Sequence, residues 1–168
     1  ELPPGRQIID THVITPLERE RAYRLIQAQI EAGHQAFIIY PFIGEEDQSE
    51  LIFAQEENRS AIEEHNRLQR DVFPELNLGL LHGRLKPDEK EGVMQDFRSG
   101  KYQVLISTSV VEVGVDIPNA TVMLVEGANR FGLAQLYQLR GRVGRSSQLA
   151  YAYLLIPPEG TISVKARQ

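Results

Sequence analysis

Ala36-Phe37-Ile38-Ile39-Tyr40, closed by Pro41, is an unbroken apolar run. A half-exposed strand would alternate apolar with polar residues. A short continuous run ended by a proline reads instead as a strand buried on both faces. Immediately before it, Gly33 closes a segment in which Ala22, Leu25, Ile26 and Ile30 recur at helical spacing. Thr15-Pro16-Leu17-Glu18 opens that segment in the manner of a capping box with proline in the first turn. Further back, Gln7 to Ile14 carries Ile8, Ile9, Val13 and Ile14 and reads as an earlier strand. The order is strand, helix, strand.

Downstream of the run, residues 44–58 are acidic and polar, and their first part reads as a surface loop. Ala61, Ile62, His65, Leu68 and Val72 then mark one face of a second helix. Leu78 to Leu81 is the next apolar run, ending in His82-Gly83. Pro87 opens a third helix whose buried side is Val93, Met94 and Phe97, and Gly100 closes it. Val104-Leu105-Ile106, Val122-Met123-Leu124-Val125 and Ala150 to Ile156 are further buried-strand candidates. Apolar runs alternating with amphipathic helices predict an α/β fold: a parallel sheet covered on both faces. Ligands on such sheets bind outside the carboxyl ends of the strands. Tyr40-Pro41, His82-Gly83-Arg84, Ser107-Thr108-Ser109 and Glu126-Gly127 each follow a strand, which predicts one functional edge.

The chain of 168 residues suits one domain, and its 42% hydrophobic and 24% charged content is that of an ordinary globular protein. The absence of cysteine excludes disulfides, thiolate nucleophiles and cysteine-ligated zinc. His12, His34, His65 and His82 lack metal-ligand spacing, so no metal site is expected. No apolar run approaches the roughly 20 residues that cross a bilayer, and Glu1-Leu-Pro-Pro-Gly does not have the form of a signal peptide. The expected location is cytoplasmic, with no membrane partner. The net charge of −5 argues against indiscriminate coating of nucleic acid. Its distribution is uneven: residues 45–64 hold eight acids against Arg59 alone, while from Ala120 onward six Lys/Arg face two Asp/Glu. That pattern permits a small phosphate-facing site on an acidic body.

The basic part centres on Gln135-Leu-Tyr-Gln-Leu-Arg-Gly-Arg-Val-Gly-Arg145. Arginine stays charged at any working pH, and its planar fork matches phosphate oxygens. Gly141 and Gly144 let the backbone between Arg140, Arg142 and Arg145 turn sharply. A phosphate-cradling Gly-x-x-x-x-Gly-Lys-Ser/Thr is absent from the sequence: Gly127 and Gly132 have the spacing, but Leu133 stands where lysine would be.

These residues carry a resemblance. Gln138-Leu-Arg-Gly141-Arg142-Val-Gly144-Arg145 resembles motif VI of superfamily 2 helicases. Ile106-Ser-Thr108-Ser-Val-Val-Glu-Val-Gly114-Val-Asp116 resembles motif V, Leu80-Leu-His82-Gly83 the motif before it, and Ala36 to Tyr40 the strand of motif IV. Glu1-Leu-Pro-Pro-Gly-Arg, His82-Gly-Arg-Leu-Lys-Pro, Val115-Asp-Ile-Pro-Asn-Ala and Glu126-Gly-Ala-Asn-Arg-Phe-Gly-Leu together resemble the RecG family of bacterial ATP-dependent DNA helicases. The transcription-repair coupling factors have a related lobe, but their entry segment and the residues after His-Gly differ from these. Residues 44–60 depart from the family pattern in being longer and more acidic, and the chain stops before the family's helical hairpin.

The resemblance implies a three-layer RecA-like domain of the P-loop NTPase type with a mostly parallel sheet. Residues 1–168 would form the second helicase lobe, with motifs IV to VI at about 36–145. It implies a parent enzyme that hydrolyses ATP with Mg2+ and acts as a monomer on branched, double-stranded DNA in recombination and repair. The nucleotide would be held mainly by a first RecA-like lobe of the same chain. In this lobe Arg142 and Arg145 would act as arginine fingers, with Gln138 beside them. Gly114 and Asp116 would complete the nucleotide contacts, Asp116 by accepting from the ribose hydroxyls. Thr108, Ser109, His82 and Gly83 would face the DNA backbone. This chain on its own, without a phosphate loop, would be inactive.

Plainer roles stand beside these. Thr108 also reads as a helix cap, Asp116 as a turn acid, His82 as a structural or backbone-bonded histidine, and the Arg/Gly stretch as a solvated basic turn. Alternative functions are the equivalent lobe of a transcription-repair coupling factor, a stand-alone nucleotide-binding module, and an interaction module that keeps the fold without the chemistry.

Overall fold

The computed structural model describes residues 9–40, 50–82, 85–107, 117, 119–127 and 150–155. Six strands form one sheet: β1 (Ile9–Ile14), β2 (Gln35–Ile39), β3 (Leu78–Leu81), β4 (Val104–Ser107), β5 (Ala120–Glu126) and β6 (Ala150–Leu155). Their spatial order is β1-β6-β5-β2-β4-β3, and every pairing is parallel. Three helices accompany them: α1 (Arg19–Glu31), α2 (Glu50–Arg67) and α3 (Pro87–Arg98).

The strand order explains which helix lies on which face. The steps from β1 to β2 and from β2 to β3 run the same way across the sheet, and the step from β3 back to β4 reverses. Parallel crossovers are right-handed, so a reversal sends the connecting helix to the opposite face. Accordingly, α1 residues Ala22, Tyr23 and Ile26 share a core with Ala36, Ile38, Val104, Ile106, Val122 and Leu124. Met94 and Phe97 of α3 pack with Phe37, Ile39, Leu105, Met123 and Val125. Successive strand residues point to opposite faces, which is why the run in β2 divides Ala36 and Ile38 from Phe37 and Ile39. Phe37 meets Phe97 edge-on at 5.1 Å between centroids, and Tyr23 meets Phe73 at 5.7 Å. The result is the three-layer, doubly covered parallel sheet that the apolar runs implied.

The ends of the elements have local causes. The Glu18 carboxylate accepts from the Thr15 backbone N–H at 3.3 Å, ahead of the 3-10 turn Pro16–Glu18 that leads into α1. The Glu89 carboxylate does the same for Lys86 at 3.0 Å at the start of α3. Gly33 and Gly100, which close α1 and α3, have φ of 94° and 88°, the left-handed conformation glycine adopts without strain. At the amino edge, the Gln35 side chain donates to the carbonyls of Phe97 (2.6 Å) and Tyr102 (2.8 Å), and Asn119 donates to Gln35 and to the carbonyl of Gly33.

α2 begins at Glu50, inside the acidic stretch, and the part ahead of it that reads as a surface loop lies outside the described residues. One expectation for α2 needs correction. Ile62 is 40% exposed rather than part of the buried face formed by Ala61 and Leu68. Beyond Arg67 the chain widens into a π turn, Leu68–Val72, closed by the Phe73 N–H on the Leu68 carbonyl at 2.7 Å. Its carbonyl ends are held by Gln69, which donates to Phe73 and Leu76 and accepts from the Leu78 N–H. In α3, Val93 is only partly buried, while Met94 and Phe97 are buried as expected.

A glycine is required in β3 because a Cβ at Gly79 would lie 2.7 Å from the Tyr102 ring. Gly79→Ala should therefore lower the stability of the chain by about 1–3 kcal/mol, the usual cost of overpacking. Denaturant unfolding of the two forms measures it, and an unchanged midpoint would show that Tyr102 moves aside freely.

Candidate functional site at the carboxyl edge

Every strand of the sheet points its carboxyl end to the same side, and the register aligns those ends. Leu81 pairs with Ser107, Ser107 with Ile39, Ile39 with Val125, Glu126 with Leu155, and Leu155 with Ile14. Strands buried on both faces leave little polarity within the sheet, so polar side chains collect where the strands end. Among the described residues, three of the five buried polar ones stand there: His82 after β3, Ser107 closing β4 and Glu126 closing β5. Tyr40, which follows β2, donates its backbone N–H to the Ser107 carbonyl at 2.8 Å. Gly127 after β5 has φ of 60°, so the chain turns immediately beyond Glu126. The single edge read from the sequence is thus present, with Tyr40, His82, Ser107 and Glu126-Gly127 along it.

The site residues expected from the sequence fall unevenly on this edge. His82 is 8% exposed and sits at the end of β3, and its carbonyl accepts from the Leu85 N–H at 3.3 Å. Thr108 and Ser109 directly follow β4 in the chain but, with Gly83, Gly114, Asp116, Gln138, Arg142 and Arg145, lie outside the described residues. Among the described residues no group of His, Cys, Asp and Glu could hold a metal ion. No helix among them is long and apolar enough to cross a membrane.

A charged network at this edge was not anticipated from the sequence. Glu126, its side chain 8% exposed, accepts a two-point fork from Arg19 at 3.0 and 3.1 Å. Nearby, Arg67 forks onto Glu64 at 2.6 and 3.2 Å and also donates to the Tyr23 hydroxyl at 3.1 Å. Arg19 opens α1, the end of a helix that disfavours a cation by roughly 0.3–1 kcal/mol. Stranding a buried charge by removing its partner costs roughly 3–5 kcal/mol. Even discounted for the 35% exposure of the Arg19 side chain, the pairing outweighs the unfavourable helix end. Burial works against the Arg19 charge, but hydrogen bonding and attraction from Glu126 outweigh it and raise the guanidinium above its ordinary value. Hydrogen bonding to Glu64 raises Arg67 likewise, against its own burial. The local signal that could have revealed Arg19 is this charge at the wrong end of its helix.

The fold defines a class, the RecA-like α/β domains with a parallel sheet covered on both faces. Residues 21–147 match the helicase conserved C-terminal domain family, and the chain belongs to it. Within that family it is similar to the ATP-dependent DNA helicase RecG: 50% identical to that of Synechocystis sp. over 92% of this chain, and 46% identical to that of Thermotoga maritima over 95%. It covers 18% and 20% of those two proteins, so it spans about a fifth of their length. A structure of RecG bound to a three-way DNA junction superposes with a TM-score of 0.77 at 41% identity, over 99% of this chain and 20% of that one. The C-terminal domain of the DEAD-box protein Dbp5 shares the fold alone, with a TM-score of 0.59 at 17% identity over 94% of this chain and 79% of that one.

Tyr23 of the network and Tyr40 at the same edge give a pH test. Burial raises the Tyr23 phenol above its ordinary 10.0, against the lowering by Arg67. Burial also raises Tyr40, with Glu64 and Glu126 adding to the effect. A phenol whose folded value exceeds its unfolded value stabilises the fold fully below about pH 10 and loses that contribution as pH rises through the folded value. Melting temperature should therefore fall above pH 10, and Tyr23→Phe should make the fall shallower. An identical slope in the two forms would remove Tyr23 as a cause.

Proposed function

We propose that this chain is the second motor lobe of an ATP-dependent DNA helicase that acts on branched DNA in recombination and repair. The observation that carries the reading is the pairing of β4 and β5 with opposite sides of β2. The segment with Thr108 and Asp116 therefore begins beside Ser107, and the segment with Gln138, Arg142 and Arg145 begins beyond Glu126, both at one edge. The similarity to RecG over nearly the whole chain supports the DNA substrate, and the proposed setting is the cytoplasm. The parent protein would work as a monomer.

Phosphoryl transfer needs a phosphate-cradling loop with its lysine, an acid that holds the metal, and a cation on the developing charge. The first two are proposed to come from the first lobe of the parent protein, which holds most of the ATP and its Mg2+. Arg142 and Arg145 supply the third from across the cleft, with Gln138 beside them. Their donor-only forks suit phosphate oxygens, and Asp116 suits ribose hydroxyls as an acceptor, with Gly114 letting the backbone come close. Thr108, Ser109, His82 and Gly83 meet the DNA backbone. Such contacts position the duplex without reading its sequence.

In the parent enzyme, Arg145→Lys should be nearly as damaging to DNA-stimulated ATP turnover as Arg145→Ala, with a loss on the order of 10³. Lysine keeps the charge but loses the fork that spans two oxygens. Arg142→Lys should behave similarly, and the isolated chain should release no phosphate in the same assay. Circular dichroism confirms that the variants fold. Near wild-type turnover in Arg145→Lys would return the stretch to a solvated basic turn.

Thr108→Ala tests the DNA contact separately. Affinity should fall by a similar factor on several unrelated sequences at one salt concentration, as the loss of a phosphate contact worth about 0.5–1.5 kcal/mol requires. A loss confined to one sequence would contradict the assignment.

A further inference from the structure

We propose that His65 and Gln69 guard the β3 edge of the sheet: they occupy the backbone groups that β3 turns outward, and without them this edge takes an added strand, the β3 of a second copy of this chain. The role is independent of the motor-lobe reading. Among the described strands, β3 has a neighbour on one side only, β4. Backbone groups of successive strand residues turn alternately to the two sides. Asn77, just ahead of β3, turns toward β4: its carbonyl accepts from the Gln103 N–H at 3.0 Å, and its N–H donates to the Gln103 side chain at 2.7 Å. Leu78 therefore turns its N–H and carbonyl away from β4, toward the place of a further strand. Both groups are taken. The Leu78 N–H donates to Gln69 Oε1 at 3.3 Å, and its carbonyl accepts from His65 Nε2 at 2.8 Å.

The two side chains suit that task. Residues four apart lie on one face of a helix, here across the last turn of α2 and the π turn that follows it. A carbonyl only accepts, so His65 meets it with a protonated Nε2. Gln69 uses its whole amide: besides accepting from Leu78, it donates to the carbonyls of Phe73 at 3.0 Å and Leu76 at 2.6 Å, which pin it in place. β3 needs such cover. Natural edge strands are blunted by charge or proline. Leu78-Gly79-Leu80-Leu81 has neither, whereas β1 at the other edge carries Asp10. The same segment in a second copy is its natural partner. In an antiparallel pair about Gly79, the outward Leu78 of one copy stands opposite the outward Leu80 of the other. Room for it exists in the plane of the sheet. Leu68, in the π turn, is buried over the sheet face with Leu78 and Ile106, so this end of α2 lies above the plane and reaches the edge with side chains.

The test uses the full-length parent protein with the double variant His65→Ala/Gln69→Ala, the single variants His65→Ala and His65→Gln, and Gln35→Ala as a stability control. Gln35→Ala removes side-chain bonds to the carbonyls of Phe97 and Tyr102 from an interior strand, so it weakens the fold without opening an edge. Sedimentation velocity across a concentration series gives the self-association constant. Circular dichroism confirms folding, and hydrogen exchange follows the peptide 75–81. The double variant should self-associate at least about tenfold more strongly than wild type, since the freed backbone groups of each copy regain partners. Its peptide 75–81 should exchange faster than wild type in the monomer and be protected again in the associated form. His65→Gln, whose amide still donates toward the Leu78 carbonyl, should stay within about twofold of wild type. Gln35→Ala should melt lower and self-associate no more than wild type. Should the double variant fail to fold, His65→Ala, which alters a partly exposed side chain and leaves the Gln69 bonds in place, decides by the same two readouts. Self-association within about twofold of wild type in the folded double variant, an equal gain in Gln35→Ala, or a gain without protection of 75–81 overturns the role.

Discussion

A parallel sheet covered on both faces has no room for polarity along its strands, and that constraint organises this molecule. β2, β4 and β5 are buried at every position, including Gln35, Ser107, Thr121 and Glu126. Those four polar side chains occupy strand ends or sit one residue from them. The amino-end pair is spent on structure: Gln35 closes on carbonyls of the α3–β4 region, and Thr121 donates to Gln29 of α1 at 2.7 Å. The carboxyl-end pair, Ser107 and Glu126, stands where the motif-bearing segments begin. Structural polar contacts at one edge and the candidate site at the other follow from strands that all run the same way.

Glu126 shows how that constraint is met when the polar group is charged. A carboxylate there costs several kcal/mol in lost hydration unless a partner is rigidly placed. Arg19 satisfies it from a residue 107 positions away. The pair sews the first helix to the end of the fifth strand, and the Arg67–Glu64 pair with Tyr23 extends the stitching to α2. Both pairs use arginine, whose fork gives direction as well as charge.

The fold was legible because its signals are local. The run 36–40, the helical spacing of Ala22 and Ile26, and the stops at Gly33 and Gly100 each need only a few neighbouring residues to be read. The start of α2 was not marked, because Glu50, Glu56 and Glu57 carry no apolar spacing, although glutamate is a good helix former. Ile62 was assigned to the wrong face by taking too wide an apolar stripe, and nothing in Leu68 to Val72 announces the π turn that ends the helix. At the candidate site, the strand-end positions Tyr40, His82, Ser107 and Glu126 were foreseen. The Arg19 and Arg67 forks were not, since contacts between distant residues leave no periodic trace. Thr108, Asp116, Gln138, Arg142 and Arg145 were read from motifs alone and lie outside the described residues.

The pairing of β1 with β6 joins the first and last described strands, Ile9 opposite Ala150. At synthesis speeds of about 5–20 residues per second, roughly seven to thirty seconds separate the two on the ribosome. β6 is the only described strand that pairs with β1. During that interval β1 has none of its native ladder bonds, while β2, β3 and β4 can already pair among themselves. The sheet can therefore assemble from its β3 side and is completed last at the β1 edge, and the nascent chain must keep an unpaired strand from other partners until its neighbour arrives.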